Sequence, residues 1–225
     1  MLKCILLLLS ISSRSLGEKI QCQDDIDTYL NNLNQDDPEL IDQIKNYYLT
    51  SPAPLDIEYN IPAERLQAPL INGQFKQALI VDLFYNSSKS KGFFIEAGAY
   101  DGFTLSNSLY FEAFRNWTGL LVEAHPDNYE ALTLTNRKSW SVGTCLSTQA
   151  SPEVVLFDAA TIFGGIIQEG RPKPGDSLPS NRREEMQKLT EKTRRTIQVS
   201  FFLHIRILLK VRLGTCNALT NLCFT

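Results

Sequence analysis

Long apolar runs are scarce in this chain. The N-terminal run from Cys4 to Ile11 is far short of the ~20 residues a membrane-spanning helix needs. It therefore reads as something other than a permanent anchor. An excess of basic charge is also missing. With 22 Lys and Arg against 25 Asp and Glu, the formal net charge is −3, so no whole-chain field draws the protein to nucleic acid. Acids are absent after Thr196, whereas Asp24, Asp25, Asp27, Asp36, Asp37, Glu39 and Asp42 crowd the segment from Glu18 to Lys45. Zinc-type spacing is absent as well, because Cys216 and Cys223 have no histidine placed to complete a tetrahedral site. There is no internal repeat.

What is present begins with an address. Lys3 precedes the short apolar run, and Ser15-Leu16-Gly17 offers small residues where a signal peptidase reads. Residues 1–17 are thus expected to be a cleaved signal peptide, with the mature chain starting near Glu18. Two N-glycosylation sequons agree with a lumenal fate, at Asn86 (Asn86-Ser87-Ser88) and Asn116 (Asn116-Trp117-Thr118). Removal of Cys4 would leave Cys22, Cys145, Cys216 and Cys223. These permit three disulfide pairings in an oxidising compartment. Cys145 sits in an apolar run and reads equally as a buried free thiol.

Residues 18–72 form a helical extension followed by a proline-rich linker. Asp37-Pro38-Glu39 has the composition of a helix start, and Leu40, Ile41, Ile44, Tyr47 and Tyr48 recur at helical spacing. Four prolines then mark residues 51–72 as extended. A second helix is expected over Gln74–Tyr85, packing Phe75, Ala78, Leu79 and Leu83. From there short apolar strands alternate with helices: strands at Gly92–Glu96, Thr118–Glu123, Trp140–Leu146 and Val154–Phe157, helices at Leu105–Asn116 and Pro126–Lys138. That alternation predicts an α/β domain with a parallel sheet over residues 73–167. Residues 168–195 are polar and read as an exposed loop or disordered insert. In the tail, residues 196–225, Ile197–Leu213 is apolar, as strand plus helix or as one helix.

The chemistry concentrates at Glu96-Ala97-Gly98-Ala99-Tyr100-Asp101-Gly102, between the first domain strand and its helix. Glycines there let a ligand approach the backbone. The spacing differs from that of pyrophosphate binders, and the strand-end acid Glu96 suits a cationic or hydroxyl-bearing ligand. Glu123 ends the next strand, where an acid can accept both hydroxyls of an adenosine ribose. His125 lies close by, as a base or as a turn residue. His204 reads as packing. Arg182-Arg183 and Arg194-Arg195 read as solvated loop residues, with processing or anionic-lipid contact as the other options.

On these residues a resemblance emerges. Gly92–Gly102, Leu105-Ser106-Asn107-Ser108-Leu109, Trp117–Pro126 and Asn136-Arg137-Lys138 resemble the FkbM-type methyltransferase domain family, most of all its animal, Star-like branch. Asp36–Leu40 and Gly73-Gln74 resemble that branch too, so the likeness spans roughly residues 36 to 199. It implies a Rossmann-like, S-adenosylmethionine-methyltransferase-type fold, with Glu96, Gly98 and Gly102 lining the methionine end of S-adenosylmethionine and Glu123 its ribose. Family members continue with further strands and an Asp-x-Glu-Gly-x-Glu-type motif that does not occur here. The parallel sheet is therefore expected to be incomplete at the C-terminus, with the strands beside the first one missing.

The resemblance also implies a role. The expectation is a secretory-pathway protein (ER, Golgi or endosome, or secreted) that handles membrane-protein or growth-factor-like cargo in trafficking. Membrane association follows from the same likeness, and nucleic acid is not an expected partner. An active S-adenosylmethionine-dependent O-methyltransferase is the alternative, and a truncated non-functional form a third reading. No catalytic residue and no metal ligand is singled out.

Overall fold

The computed structural model describes residue 30 and residues 32–67, 73, 75–88, 90–147, 151–159, 164–167, 195–201, 203–204 and 223–224. The signal segment, Cys22, residues 168–194 and Cys216 lie outside them.

Helix α1, Pro38–Gln43, starts as its sequence dictates: the Asp37 side chain accepts from the Glu39 N–H at 2.9 Å, and proline opens the first turn. It runs into a π-helical turn, Ile44–Tyr48, and then strand β1, Leu49–Thr50. The helical part of the N-terminal extension thus ends before Leu49. Leu40, Ile41 and Ile44 are buried as their spacing predicts, whereas Tyr47 is exposed.

Residues 51–67 are irregular apart from helix α2, Ala63–Gln67. They do not hang free. The Ala53 N–H donates to the Arg137 carbonyl, the Asn60 N–H to the Thr135 carbonyl, and Lys138 Nζ to the carbonyls of Pro54 and Ile57. The proline-rich stretch is therefore strapped along residues 134–138 of the α/β domain.

Helix α3, Gln77–Phe84, is followed by β2, Phe93–Ala97; α4, Leu109–Arg115; β3, Thr118–Val122; α5, Pro126–Thr133; and β4, Trp140–Val142. Strands β2, β3 and β4 pair in parallel, from Phe93↔Thr118 to Ala97↔Val122 and from Leu120↔Trp140 to Val122↔Val142. Their residues alternate between two cores. Ile95, Leu120, Val122 and Val142 pack with Leu30, Leu40, Ile41 and Ile44 on one face. Phe94 and Leu121 pack with Ala78, Tyr110, Phe111, Trp117 and Leu132 on the other. Covering both faces is what a parallel sheet requires, and each fully buried large apolar side chain contributes about 1.5–3 kcal/mol. Gly119 leaves room for the Phe94 ring across the strand pair.

The fold is mixed α/β, with parallel pairs at its centre. Three expectations need correction. First, the sheet is not wholly parallel, because β1 pairs antiparallel with β4 at one edge. Second, the fourth expected strand leaves this sheet. Strand β5, Leu146–Ser147, breaks from β4, and β6, Glu153–Ala159, lies antiparallel to β7, Gly165–Ile166, and to β8, Arg195–Phe201. The reason is visible in the burial: Val154 and Leu156 are 42% and 49% exposed while Phe157 is buried, the half-solvated alternation of an antiparallel strand. Third, the place beside β2 is filled. Strand β10, Cys223–Phe224, pairs in parallel with Phe94 and Ile95, giving the order β1-β4-β3-β2-β10. Strand β9, Leu203–His204, pairs with β5, so the start of the tail is strand. The expectation of an unflanked first strand does not hold.

Helix bounds also shift. Phe75 and Leu83, expected to pack, are exposed, and α3 buries Ala78 and Asp82. Helix α4 begins at Leu109 rather than Leu105, because residues 105–108 turn back to Glu96, as described below. Helix α5 stops at Thr133; the Thr135 hydroxyl then donates to the Leu132 carbonyl and Asn136 turns left-handed at φ +58°.

Among the described residues, no helix is long and apolar enough to cross a membrane. The sequons at Asn86 and Asn116 both lie at exposed asparagines.

Candidate functional site

The site forms where β2 and β3 end. The N–H groups of Gly98 and Ala99 both donate to the Val122 carbonyl, at 2.9 and 3.0 Å, so the turn after β2 is clamped onto the end of β3. Gly98 has φ +77° and open space where a Cβ would point, so a ligand can reach its backbone. Tyr100 is also left-handed, at φ +52°. That conformation costs a non-glycine residue roughly 1–3 kcal/mol and is held by Glu123, whose Oε2 accepts the Tyr100 N–H at 2.8 Å. Asp101 accepts the N–H groups of Phe103 and Thr104, an Asx turn.

A cleft of about 490 Å³ opens over this turn, lined among others by Glu96, Gly98, Tyr100, Glu123, Asn128 and Cys145. Its far wall is Phe157 and Ile166 from the antiparallel sheet. Three of the four expected ligand residues, Glu96, Gly98 and Glu123, therefore share one cavity. Gly102 does not line it. At φ +85° it packs against Leu132 and Thr135, and its carbonyl accepts from Arg137 Nη1. In the structure it holds the turn against α5, where an added Cβ would press on Leu132 and Thr135.

Both carboxylates are buried, and both are already engaged. Glu96 accepts from the Ser106 hydroxyl at 2.9 Å, the Asn107 N–H at 2.7 Å and the Ser108 hydroxyl. Ser106 Oγ in turn accepts the Leu109 N–H at 3.1 Å, which fixes the start of α4. Glu123 Oε1 accepts the His125 N–H at 2.8 Å. Burial pushes the Glu123 carboxyl above its ordinary value, opposed by hydrogen bonds from the backbone of His125, Tyr100 and Ala124 and from the Asn128 side chain. Of these donors only Asn128 can rotate away.

Behind Glu96 lies a second buried centre. Arg137 donates from Nε to Glu112 Oε1 at 2.9 Å and from Nη2 to Ser108 Oγ at 3.0 Å. Glu112 also accepts the Lys138 N–H at 2.8 Å and the Ser139 hydroxyl. Arg137, Ser108 and Glu96 thus form one chain of contacts from the core to the cleft. Ser106, Ser108, Glu112 and Arg137 were not singled out from sequence as functional. A signal existed for one of them: Glu112 is a lone acid on the apolar face of α4.

His125 serves as a helix cap. Its Nδ1 accepts the Asp127 N–H at 3.2 Å at the start of α5, which is the turn role among its two readings. Cys145 is a buried free thiol whose pKa burial, with the Glu123 charge nearby, pushes up to about 12. Burial also raises the Tyr100 phenol. Among the described residues, no group of His, Cys, Asp and Glu is placed to hold a metal ion.

Comparison with known proteins finds no matching family model, no matching curated protein and no matching solved structure.

Proposed function

We propose that this chain is a secretory-pathway protein that uses a Rossmann-like, methyltransferase-type domain to bind an adenosyl ligand and acts in trafficking of membrane-protein or growth-factor-like cargo. The observation that carries the ligand is the cleft itself. It sits at the carboxyl ends of β2 and β3, with the open Gly98 backbone beside Glu96 and Glu123. The strand order β4-β3-β2-β10 places a late strand beside the first parallel one, and in such sheets ligands bind outside the strand ends near the reversal. S-adenosylmethionine is the ligand we propose for this cleft. Its ribose hydroxyls would take the place of the Asn128 side chain on Glu123, and its methionine end would run past Gly98 toward Glu96. The bound cofactor would supply an activated methyl group.

Binding is favoured over transfer by the state of the lining. Glu96 and Glu123 hold the loops, and the Cys145 thiol and Tyr100 phenol are both shifted toward their protonated forms. Both lining carboxylates are engaged by hydrogen bonds from the chain itself. The cargo role and the compartment rest on the family resemblance, the leader and the sequons.

The test uses the full chain made in secretory cells. S-adenosylmethionine and its demethylated product are each expected to raise the melting temperature, by about 2.7 kcal/mol of added stability at one hundred times Kd. Methyl-labelled cofactor is expected to pass no label to a secretory-membrane extract. Label transfer would favour the O-methyltransferase reading. No thermal shift with either compound would remove the ligand from the account.

A further inference from the structure

The two sequons share a feature that glycosylation alone does not require. Each asparagine follows a phenylalanine by two positions: Phe84-Tyr85-Asn86-Ser87-Ser88 and Phe114-Arg115-Asn116-Trp117-Thr118. Each phenylalanine lies in the last turn of a helix, α3 or α4, and is exposed, 79% for Phe84 and 51% for Phe114. Each asparagine then turns left-handed, with φ +51° at Asn86 and φ +53° at Asn116.

The turns explain the asparagines. At α3 the Asn86 N–H donates to the Leu83 carbonyl and the Ser87 N–H to the Asp82 carbonyl, the paired bonds of a helix stop that wants glycine or asparagine. At α4 the N–H groups of Asn116 and Trp117 both close on the Phe111 carbonyl. Neither stop needs an exposed aromatic two residues earlier. Phe114 stacks on Tyr110 at 5.7 Å and Phe84 meets the Tyr85 ring edge-on at 5.2 Å, yet both remain largely exposed at matching positions, with ring surface open to an occupant.

We infer that the first N-acetylglucosamine on Asn86 and on Asn116 folds back onto the ring of Phe84 and of Phe114. This rests on the secretory reading above. The sugar presents a face of C–H groups with partial positive charge, and the aromatic face is the negative side of the ring quadrupole. Each phenylalanine stands two residues before its asparagine, and the left-handed turn that ends the helix lies between the helical turn carrying the ring and the chain beyond. The two platforms occupy one corner of the molecule. Arg115, between Phe114 and Asn116, donates from Nε and Nη2 to Asp82 at 2.8 and 3.0 Å, and Asp82 lies two residues before Phe84. The attachment itself is the compartment's chemistry. The asparagine Nδ2 forms a bond to the sugar C1, the bond from C1 to phosphate oxygen of a polyprenyl-diphosphate oligosaccharide breaks, and the amide proton leaves with the transferase's base. The chain contributes the platform.

The experiment uses the full chain purified from secretory cells, as wild type and as Phe84→Ala and Phe114→Ala. Peptide mapping reads occupancy at Asn86 and Asn116. Each protein is trimmed to a single N-acetylglucosamine by an endoglycosidase, or stripped by an amidase that leaves aspartate, which tolerates a left-handed backbone. The single sugar is expected to raise the wild-type melting temperature by roughly 2–4 °C per site. Phe84→Ala should abolish that gain at Asn86, and Phe114→Ala at Asn116. The difference between differences cancels whatever each change does alone. An equal gain in the alanine variants overturns the stacking and leaves the secretory address standing. Unmodified asparagines on a chain that has lost its leader do the same. Unmodified asparagines on a chain that keeps Met1 overturn both.

Discussion

Arg137 and Glu112 form a fully buried ion pair, Nε to Oε1 at 2.9 Å, with Ser108 linking Arg137 onward to Glu96. Burying two charges is expensive, and removing one partner alone strands the other. Arg137→Met should therefore destabilise the protein by about 3–5 kcal/mol, a large share of a typical total of about 5–15 kcal/mol. Urea unfolding measures it. A loss under about 1 kcal/mol would mean the pair is not buried as described.

The Asp82–Arg115 pair predicts acid sensitivity. The hydrogen bond from Arg115 holds the Asp82 carboxyl below its ordinary value, against the effect of burial and with help from Ser87. A depressed carboxyl stabilises the fold above its unfolded pKa of about 3.9 and loses that contribution as pH falls through the folded value. Near neutral pH Asp82→Asn should cost about 1.5–3 kcal/mol. The gap to wild type should close below pH ~3.9. A gap that stays constant from pH 7 to pH 2.5 would show that charge is not what Asp82 supplies.

Cys145 should be chemically silent while the protein is folded. Its thiol is buried, with a pKa pushed up to about 12, and the thiolate is the reacting species. Alkylation at pH 8 followed by peptide mapping should leave Cys145 unlabelled in native protein and label it in urea. Labelling at the free-thiol rate without urea would open the far side of the cleft to solvent.

The legible parts of the fold were those where one physical signal spoke alone. The runs Phe93–Glu96 and Leu120–Glu123 are apolar and end in acids, so β2, β3 and the placing of Glu96 and Glu123 followed directly. Pro126 marked the start of α5. Val154–Phe157 was ambiguous, because a short apolar run reads the same whether it is buried on both faces or half solvated; only its partners β7 and β8 decide. The start of α4 was missed because Ser106 and Ser108 form a polar turn around Glu96, a contact ten residues away in sequence. The role of Arg137 was hidden for the same reason: nothing local marks a cation whose partner sits 25 residues earlier. Gly102 was placed at the ligand by the family resemblance, and its neighbours Leu132 and Thr135, from the end of α5 and the turn after it, could not be read from the local sequence.

The central claim is that the cleft at the ends of β2 and β3 holds an adenosyl ligand by Glu123, with the ribose replacing Asn128. Calorimetric titration of S-adenosylmethionine into the full chain tests it most directly, on wild type, Glu123→Ala and Asn128→Ala. The account predicts saturable one-to-one binding to wild type and a loss of about 10- to 100-fold for Glu123→Ala, the equivalent of a charged hydrogen bond of roughly 1.5–3 kcal/mol. Asn128→Ala should bind at least as tightly as wild type. No binding to folded wild-type protein, or equal affinity in Glu123→Ala, would contradict it.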